Sequence, residues 1–236
     1  MIDEDFVKHG YELDDVIQQY IDDTRKGAWV EEKQVFKKYV KKDMKILDVG
    51  CGTGRITFYL SEFSKNIEGI DFSRPMIEAA KTLNTEFGTN INFREGNVLD
   101  LQYNNTVFDC VVFAYNGLNT IPEYKNRIKA LSEIKRVLKD DGVFIFSSHI
   151  RKKIDKKLFF YWFKQYFRIK FLKSNEENGD RLSFRHNRWQ YINIPKMNNL
   201  KKTIGKCGFN IIEIVKVKVD KKRYPINLFV CKRREK

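Results

Sequence analysis

The stretch from Ile46 to Arg55, ILDVGCGTGR, constrains this chain more than any other. An apolar run that closes on an acid, Asp48, and then on Gly50, Gly52 and Gly54 reads as a buried parallel strand, a tight loop and a helix start. The glycines are required because the backbone turns in little space and lets ligand atoms come to contact distance, where a Cβ would intrude. A dinucleotide would set its pyrophosphate on the following helix N-terminus, and an acid just before the loop repels that phosphate. Asp48 instead suits a cationic amino group, while the loop amides after it can take a carboxylate. The ligand so described is an amino-acid head carried on a nucleoside.

A second strand supports this. NIEGID, residues 66–71, ends in Asp71, about 20 residues beyond the loop, where a carboxylate can accept both ribose hydroxyls. With Asp48 and Asp71 in register, S-adenosyl-L-methionine is the expected cofactor.

Four segments, ILDVGCGTGR, GIDFSRPMIEAA (69–80), FDCVVFAYNGLN (108–119) and ALSEIKRVLKDDGVFIFSS (130–148), occur in this order. Over about residues 40–150 the chain thereby resembles the class I S-adenosylmethionine-dependent methyltransferases, within the type 11 small-molecule group. The resemblance implies an α/β fold, a Rossmann-like doubly wound sheet of seven strands in the order 3-2-1-4-5-7-6, with a helical lid inserted after the fifth strand. It implies that Asp48, Gly50, Cys51, Gly52, Gly54, Asp71, Phe72, Met76, Asn97, Val98 and Tyr115 bind the cofactor, with Val98 against the adenine. The family commonly has an acid near position 97, where this chain has Asn97; its amide oxygen can accept the adenine amino hydrogen bond, and Asp100 is the alternative acid. Tyr115 and Asn116 fall below the transferable methyl. The Asn/Asp-Pro-Pro-aromatic run of adenine-N6 and glutamine-N methyltransferases and the Pro-Cys nucleophile of cytosine-C5 enzymes are both missing from this point.

Length allows a single domain over 1–236, divided into a helical cap (1–43), a cofactor-binding core (44–149), the lid insertion (150–190) and a C-terminal helix and strand pair (191–236). The sequence contains neither a secretory h-region nor an apolar span near 20 residues, so a cytoplasmic protein is expected. Four cysteines without a CxxC pair argue against a zinc site or a disulfide framework. The net charge of +14, from 45 basic and 31 acidic residues, favours an anionic partner. The excess is local: residues 151–173 hold nine Lys or Arg against Asp155 alone.

Ahead of the first strand, apolar spacing predicts two helices over 11–40, broken at Gly27. The resemblance folds such a segment over the cofactor, with Tyr11, Tyr20 and Arg25 as lid candidates. Ser73 caps the next helix, with Ile77, Ala80 and Leu83 buried. Residues 124–139 form a helix ended by Asp140, Asp141 and Gly142, and VFIFSSH follows as a strand with His149 at its ligand-binding end. In 153–168 a helical wheel sets Lys153, Lys157, Lys164 and Arg168 opposite Phe159, Phe160, Trp162, Phe163, Tyr166 and Phe167. This amphipathic segment fits a substrate lid, a membrane-surface element or a nucleic-acid footprint. An insertion at this place in related folds usually covers the substrate, which favours the lid. SNEENGD reads as a loop and RLSFRHNRWQYINI as strand-like alternation. Finally come a helix closed at Gly208, two antiparallel strands across KKRYP, and KRREK as a frayed tail.

The expected reaction moves a methyl group to an oxygen or nitrogen of a small-molecule acceptor by in-line displacement. Positioning can supply about 7–11 kcal/mol, enough for an amine with a free lone pair. A hydroxyl needs a base within hydrogen-bond reach, for which His149 is the candidate. Alternatives are an RNA methyltransferase using the basic insertion, a lipid or quinone methyltransferase at a membrane surface, and a non-catalytic cofactor-binding module.

Overall fold

The structure is a computed structural model that describes residues 3–151, 179–185, 188–218 and 225–234. Strand β1 (Ile46–Val49) is buried at all four positions, as its apolar run requires of a strand covered on both faces. It lies between β2 (Ile67–Asp71) and β4 (Phe108–Phe113), parallel to both, with Asp48 opposite Gly69 and Val112. Helix α4 (Arg55–Leu60) links β1 to β2, and α5 (Arg74–Glu86) links β2 to β3 (Asn92–Glu95). Ser73 Oγ caps α5 by accepting from the Met76 amide, 3.4 Å.

Beyond β4 come the short α6 (Gly117–Thr120), α7 (Tyr124–Val137) and β5 (Leu138–His149). Helix α8 (Met197–Lys206) precedes β8 (Phe209–Lys216) and β9 (Ile226–Arg233). The sheet order β3-β2-β1-β4-β5-β9-β8 is the expected class I order, with β9 antiparallel to both neighbours. A separate hairpin pairs β6 (Asp180–Arg185) with β7 (Arg188–Asn193), where strand-like alternation predicts strands. The basic aromatic segment 153–168 and the first four residues of KKRYP lie outside the described residues.

Alternate residues of β4 feed opposite faces of the sheet. Val111 and Phe113 join Leu131, Ile134, Phe144 and Phe146 on the α7 side. Cys110 and Val112 join Phe36, Ile56, Leu60 and Ile77 on the other.

Three boundaries differ from the sequence reading. Three helices precede β1, because α1 (Glu4–Tyr11) forms ahead of α2 (Asp14–Lys26) and α3 (Val30–Tyr39). Asp3 caps α1 through the Phe6 amide, 2.9 Å, and Glu4 and Asp5 meet its N-terminal dipole. Helix α7 ends at Val137, and Leu138 already pairs with Phe108, so Asp140–Gly142 interrupt the ladder inside β5 instead of separating helix from strand. The start of KRREK is not frayed: Lys232 and Arg233 belong to β9, and the Arg233 guanidinium donates to the Leu138 carbonyl, 2.7 Å.

Candidate cofactor and acceptor site

The strand order reverses between β1 and β4, and ligands of open α/β sheets bind beyond the carboxyl ends of strands at such a point. A cleft enclosing about 820 Å³, part of it open to solvent, lies there. Its floor is Val49, Gly50 and Gly52 after β1, Asp71 and Phe72 after β2, Asn97 to Leu99 after β3, and Phe113 to Tyr115 after β4. Glu4, Val7 and Tyr11 of α1 and Tyr20 of α2 form the roof. A smaller cavity continues from Tyr20, Gly50 and Tyr115 to Asp48, Cys51 and Arg55.

The loop leaves no room for side chains. Gly50 has φ +63° and a Cβ there would meet the Phe113 ring at 2.8 Å; Gly52 has φ +55° and a Cβ would meet the Tyr20 ring at 3.1 Å. Gly54 lines neither cavity; it starts α4 and packs against Phe58 and Phe93.

Asp48 is buried. Its Oδ2 accepts from the Thr57 hydroxyl, 2.7 Å, whereas Oδ1 has no hydrogen-bond partner among the described residues. Burial pushes its carboxyl up to about 7, against the pull of Thr57 and Arg55. An orphaned buried acid oxygen is costly unless a ligand completes it, and a cationic amino group does so. Asp71 accepts from the Gly52 amide through Oδ2 and from the Ser73 amide through Oδ1, each 2.9 Å. Burial outweighs these bonds and raises it to about 6. Each oxygen keeps a second lone pair, so two ribose hydroxyls can still be received.

The cap is clamped to this loop. Arg55 donates twice to the buried Glu32 of α3, at 2.6 and 2.8 Å, and its guanidinium lies 4.7 Å from the Trp29 ring centroid and 5.2 Å from that of Tyr115. The Thr24 and Thr53 hydroxyls are 2.6 Å apart, and the Tyr115 hydroxyl donates to Asp23, 3.0 Å. Tyr11 and Tyr20 do form the roof, whereas Arg25 is turned outward to Glu86, 3.0 Å. Burial raises the Tyr11 phenol to about 12 and Tyr20 well above its ordinary range, so both hydroxyls stay protonated.

Phe72, Met76, Asn97, Val98 and Tyr115 all line the cleft. Asn116 stands at the N-cap position of α6 without a side-chain capping bond, and its backbone amide donates to Ser147 Oγ, 2.7 Å, outside the lining. His149 does not line the cleft; its amide donates to Asn119 Oδ1, 3.2 Å, in a polar network under the hairpin. That network was not foreseen: Tyr191 accepts from Arg127, 3.1 Å, and donates to Asp180, 2.6 Å, which also accepts from Asn193, 2.7 Å. It anchors β6 and β7 beside α1, where Leu182 and Tyr191 pack on Val7. The roof residues Glu4 and Val7 were also missed. Their available signal was Asp3 followed by acids, an apolar pair and terminal basic residues.

The orphan oxygen, the glycine cradle and the ribose carboxylate fit S-adenosylmethionine, and this fold and site define a class I S-adenosylmethionine-dependent enzyme. Residues 40–203 match the family described as "Methyltransferase domain". The chain is 32% identical over 198 residues to a demethylmenaquinone methyltransferase of Staphylococcus haemolyticus, covering 78% of each chain. It is 42% identical over 127 residues to the enzyme of that name from Lactococcus lactis, covering 51% of this chain and 49% of that one. A Methanosarcina mazei S-adenosylmethionine-dependent methyltransferase shares the fold with TM-score 0.72 at 22% identity, covering 85% of this chain and 98% of that one. The chain belongs to the class I S-adenosylmethionine-dependent methyltransferases, and it transfers a methyl group to a small molecule.

Proposed function

We propose that the acceptor is a lipid-soluble quinol ring methylated at carbon, in place of the oxygen or nitrogen first expected. The observation that carries this is the 32% identity, over 78% of both chains, to a protein named for demethylmenaquinone. The apolar cleft wall made by Val7, Phe113, Ile121 and Pro122 supports it, since a fused ring loses little on leaving water for such a surface.

Bound S-adenosylmethionine supplies an electrophilic methyl on a cationic sulfur. The residues of the chain hold and orient the reactants. Asp48 would hold the amino end of the cofactor and Asp71 its ribose, with the glycine loop, Tyr20 and Tyr115 enclosing the part between them. With it bound, a quinol carbon next to an ionised ring hydroxyl would take the methyl, the carbon–sulfur bonding pair would stay with the leaving thioether, and the ring-carbon proton would leave to solvent. The protonated Tyr11 hydroxyl, which lines the same cleft, donates to the ionised ring oxygen and stabilises its charge. Among the described residues no helix is long and apolar enough to cross a membrane, so such an acceptor would be met at the lipid surface.

The test is incubation of the protein with S-adenosylmethionine and a short-chain 2-prenyl-1,4-naphthoquinol, alongside panels of amines and alcohols, with products identified by mass spectrometry and NMR. Methylation of the ring carbon is expected. Methylation of amines or alcohols with none of the naphthoquinol would overturn the proposal and return the acceptor to oxygen or nitrogen.

A further inference from the structure

Asn97 stands at the far end of the cleft from the glycine loop, beyond Asp71 and next to the apolar slot made by Phe72, Met76 and Val98. Its Oδ1 accepts from the Leu99 amide, 2.9 Å, which holds the loop after β3 and fixes which way the side-chain amide points. The Nδ2 group is thereby turned to Glu4 and donates to its Oε2, 3.0 Å. Glu4 is half-buried, belongs to α1 and lines the cleft. Its Oε1 accepts no hydrogen bond from a described residue.

A purine ring seated in the slot, with its ribose on Asp71, presents an exocyclic amine to this end. Asn97 offers that amine at most the one lone pair its oxygen has left after the Leu99 amide, and its nitrogen is a donor already turned to Glu4. We infer that Glu4, held in place by Asn97, is the residue that accepts the adenine amino group and distinguishes adenine from a purine bearing a carbonyl there. A carboxylate is acceptor only when ionised, so it attracts an amine and repels a carbonyl. Position 97 and position 4 then form one unit. An amide at 97 can donate to Glu4, whereas an acid at 97 would set two carboxylates about 3 Å apart and drive Glu4 out. Helix α1 reaches the site because Lys8 pairs with Glu95 at the end of β3, 3.3 Å, and because Val7 packs on the hairpin.

The test compares binding of S-adenosylhomocysteine with that of S-inosylhomocysteine, in which a carbonyl replaces the amine, by titration calorimetry. The native protein should prefer the adenine compound by roughly ten- to hundredfold, the scale of one charge-assisted hydrogen bond. Glu4→Ala should bring the ratio to within about threefold of unity. Lys8→Ala, which removes only a largely exposed ion pair of the helix that carries Glu4, should lower the ratio by much less than Glu4→Ala does. Asn97→Asp should keep a preference for adenine, now through its own carboxylate, and adding Glu4→Ala to it should change the ratio less than about twofold. Three results would each overturn the inference: a native protein indifferent to the base, a Glu4→Ala variant that weakens both ligands equally, or a Glu4→Ala effect in the Asn97→Asp background as large as in the native one.

Discussion

Cofactor binding should release protons at mildly acid pH. In the free protein Asp48 is raised from the ordinary 3.8 to about 7 and Asp71 to about 6, both chiefly by burial. An ammonium beside Asp48 Oδ1 and ribose hydroxyls on Asp71 favour the charged forms and lower both values. At pH 6 the free protein holds about 0.9 proton on Asp48 and about 0.5 on Asp71, so binding should release up to about 1.4; at pH 8 the sum is about 0.1. Affinity should therefore rise with pH through 6 and 7. It should fall again above about 8, where the ligand's own amino group loses its charge. Titration calorimetry in buffers of differing ionisation enthalpy measures the release directly. Asp48→Asn should remove the larger part at pH 6, leaving about half a proton from Asp71. Stability carries the same linkage. An acid whose folded pKa is raised binds its proton more tightly when folded, so its ionisation opposes folding. The cofactor-free protein should thus lose stability as pH rises from about 4 through 7, by a few kcal/mol at most from Asp48, and Asp48→Asn should flatten that slope. No net proton release at pH 6, or a release unchanged in Asp48→Asn, would refute the assignment of the orphan oxygen to the ammonium.

Two further outcomes are expected. Glu32→Ala leaves the Arg55 guanidinium buried without its carboxylate; the cost should be about 3–5 kcal/mol, seen as a fall of roughly 6–20 °C in Tm, and a fall under about 2 °C would show that the clamp contributes little. His149→Gln should change the methyl-transfer rate less than about twofold, because His149 does not line the cleft; a loss of about a hundredfold or more, the scale of a general base, would restore His149 to the chemistry and favour a hydroxyl acceptor.

The cofactor half of the site was legible because its requirements are local. A buried parallel strand needs an apolar run, the turn needs φ above zero at Gly50 and Gly52, and the acids stand at the ends of the strands that hold them. The sheet order followed from resemblance over the same segments. Helix α1 was not legible as a helix because eight residues with two apolar neighbours carry little periodicity, and its stability comes from docking on Phe72 and the hairpin. The partner of Asn97 lies 93 positions away, and no local pattern encodes such a contact. The Asp140–Gly142 stretch misled for a related reason: β4 pairs with Leu138 before it and with Val143 after it, so residues that read locally as a terminator form an irregularity inside one strand.

Those non-local elements are the ones that bear on the acceptor. The glycine loop and the two strand-end acids serve any bound S-adenosylmethionine alike, so they cannot distinguish one methyl acceptor from another. The roof can, and it is built from two pieces with different supports. The hairpin stands on Arg127, Tyr191, Asp180 and Asn193, a buried network in which removing any one group strands another. Helix α1 stands on that hairpin through Val7 and on the β3 loop through Glu4 and Lys8. One eight-residue helix thus touches the nucleoside end of the cleft and the wall offered to the acceptor. A cofactor that orders Glu4 also orders Val7 and Tyr11, so an acceptor arriving second meets a wall already in place and should bind more tightly for it.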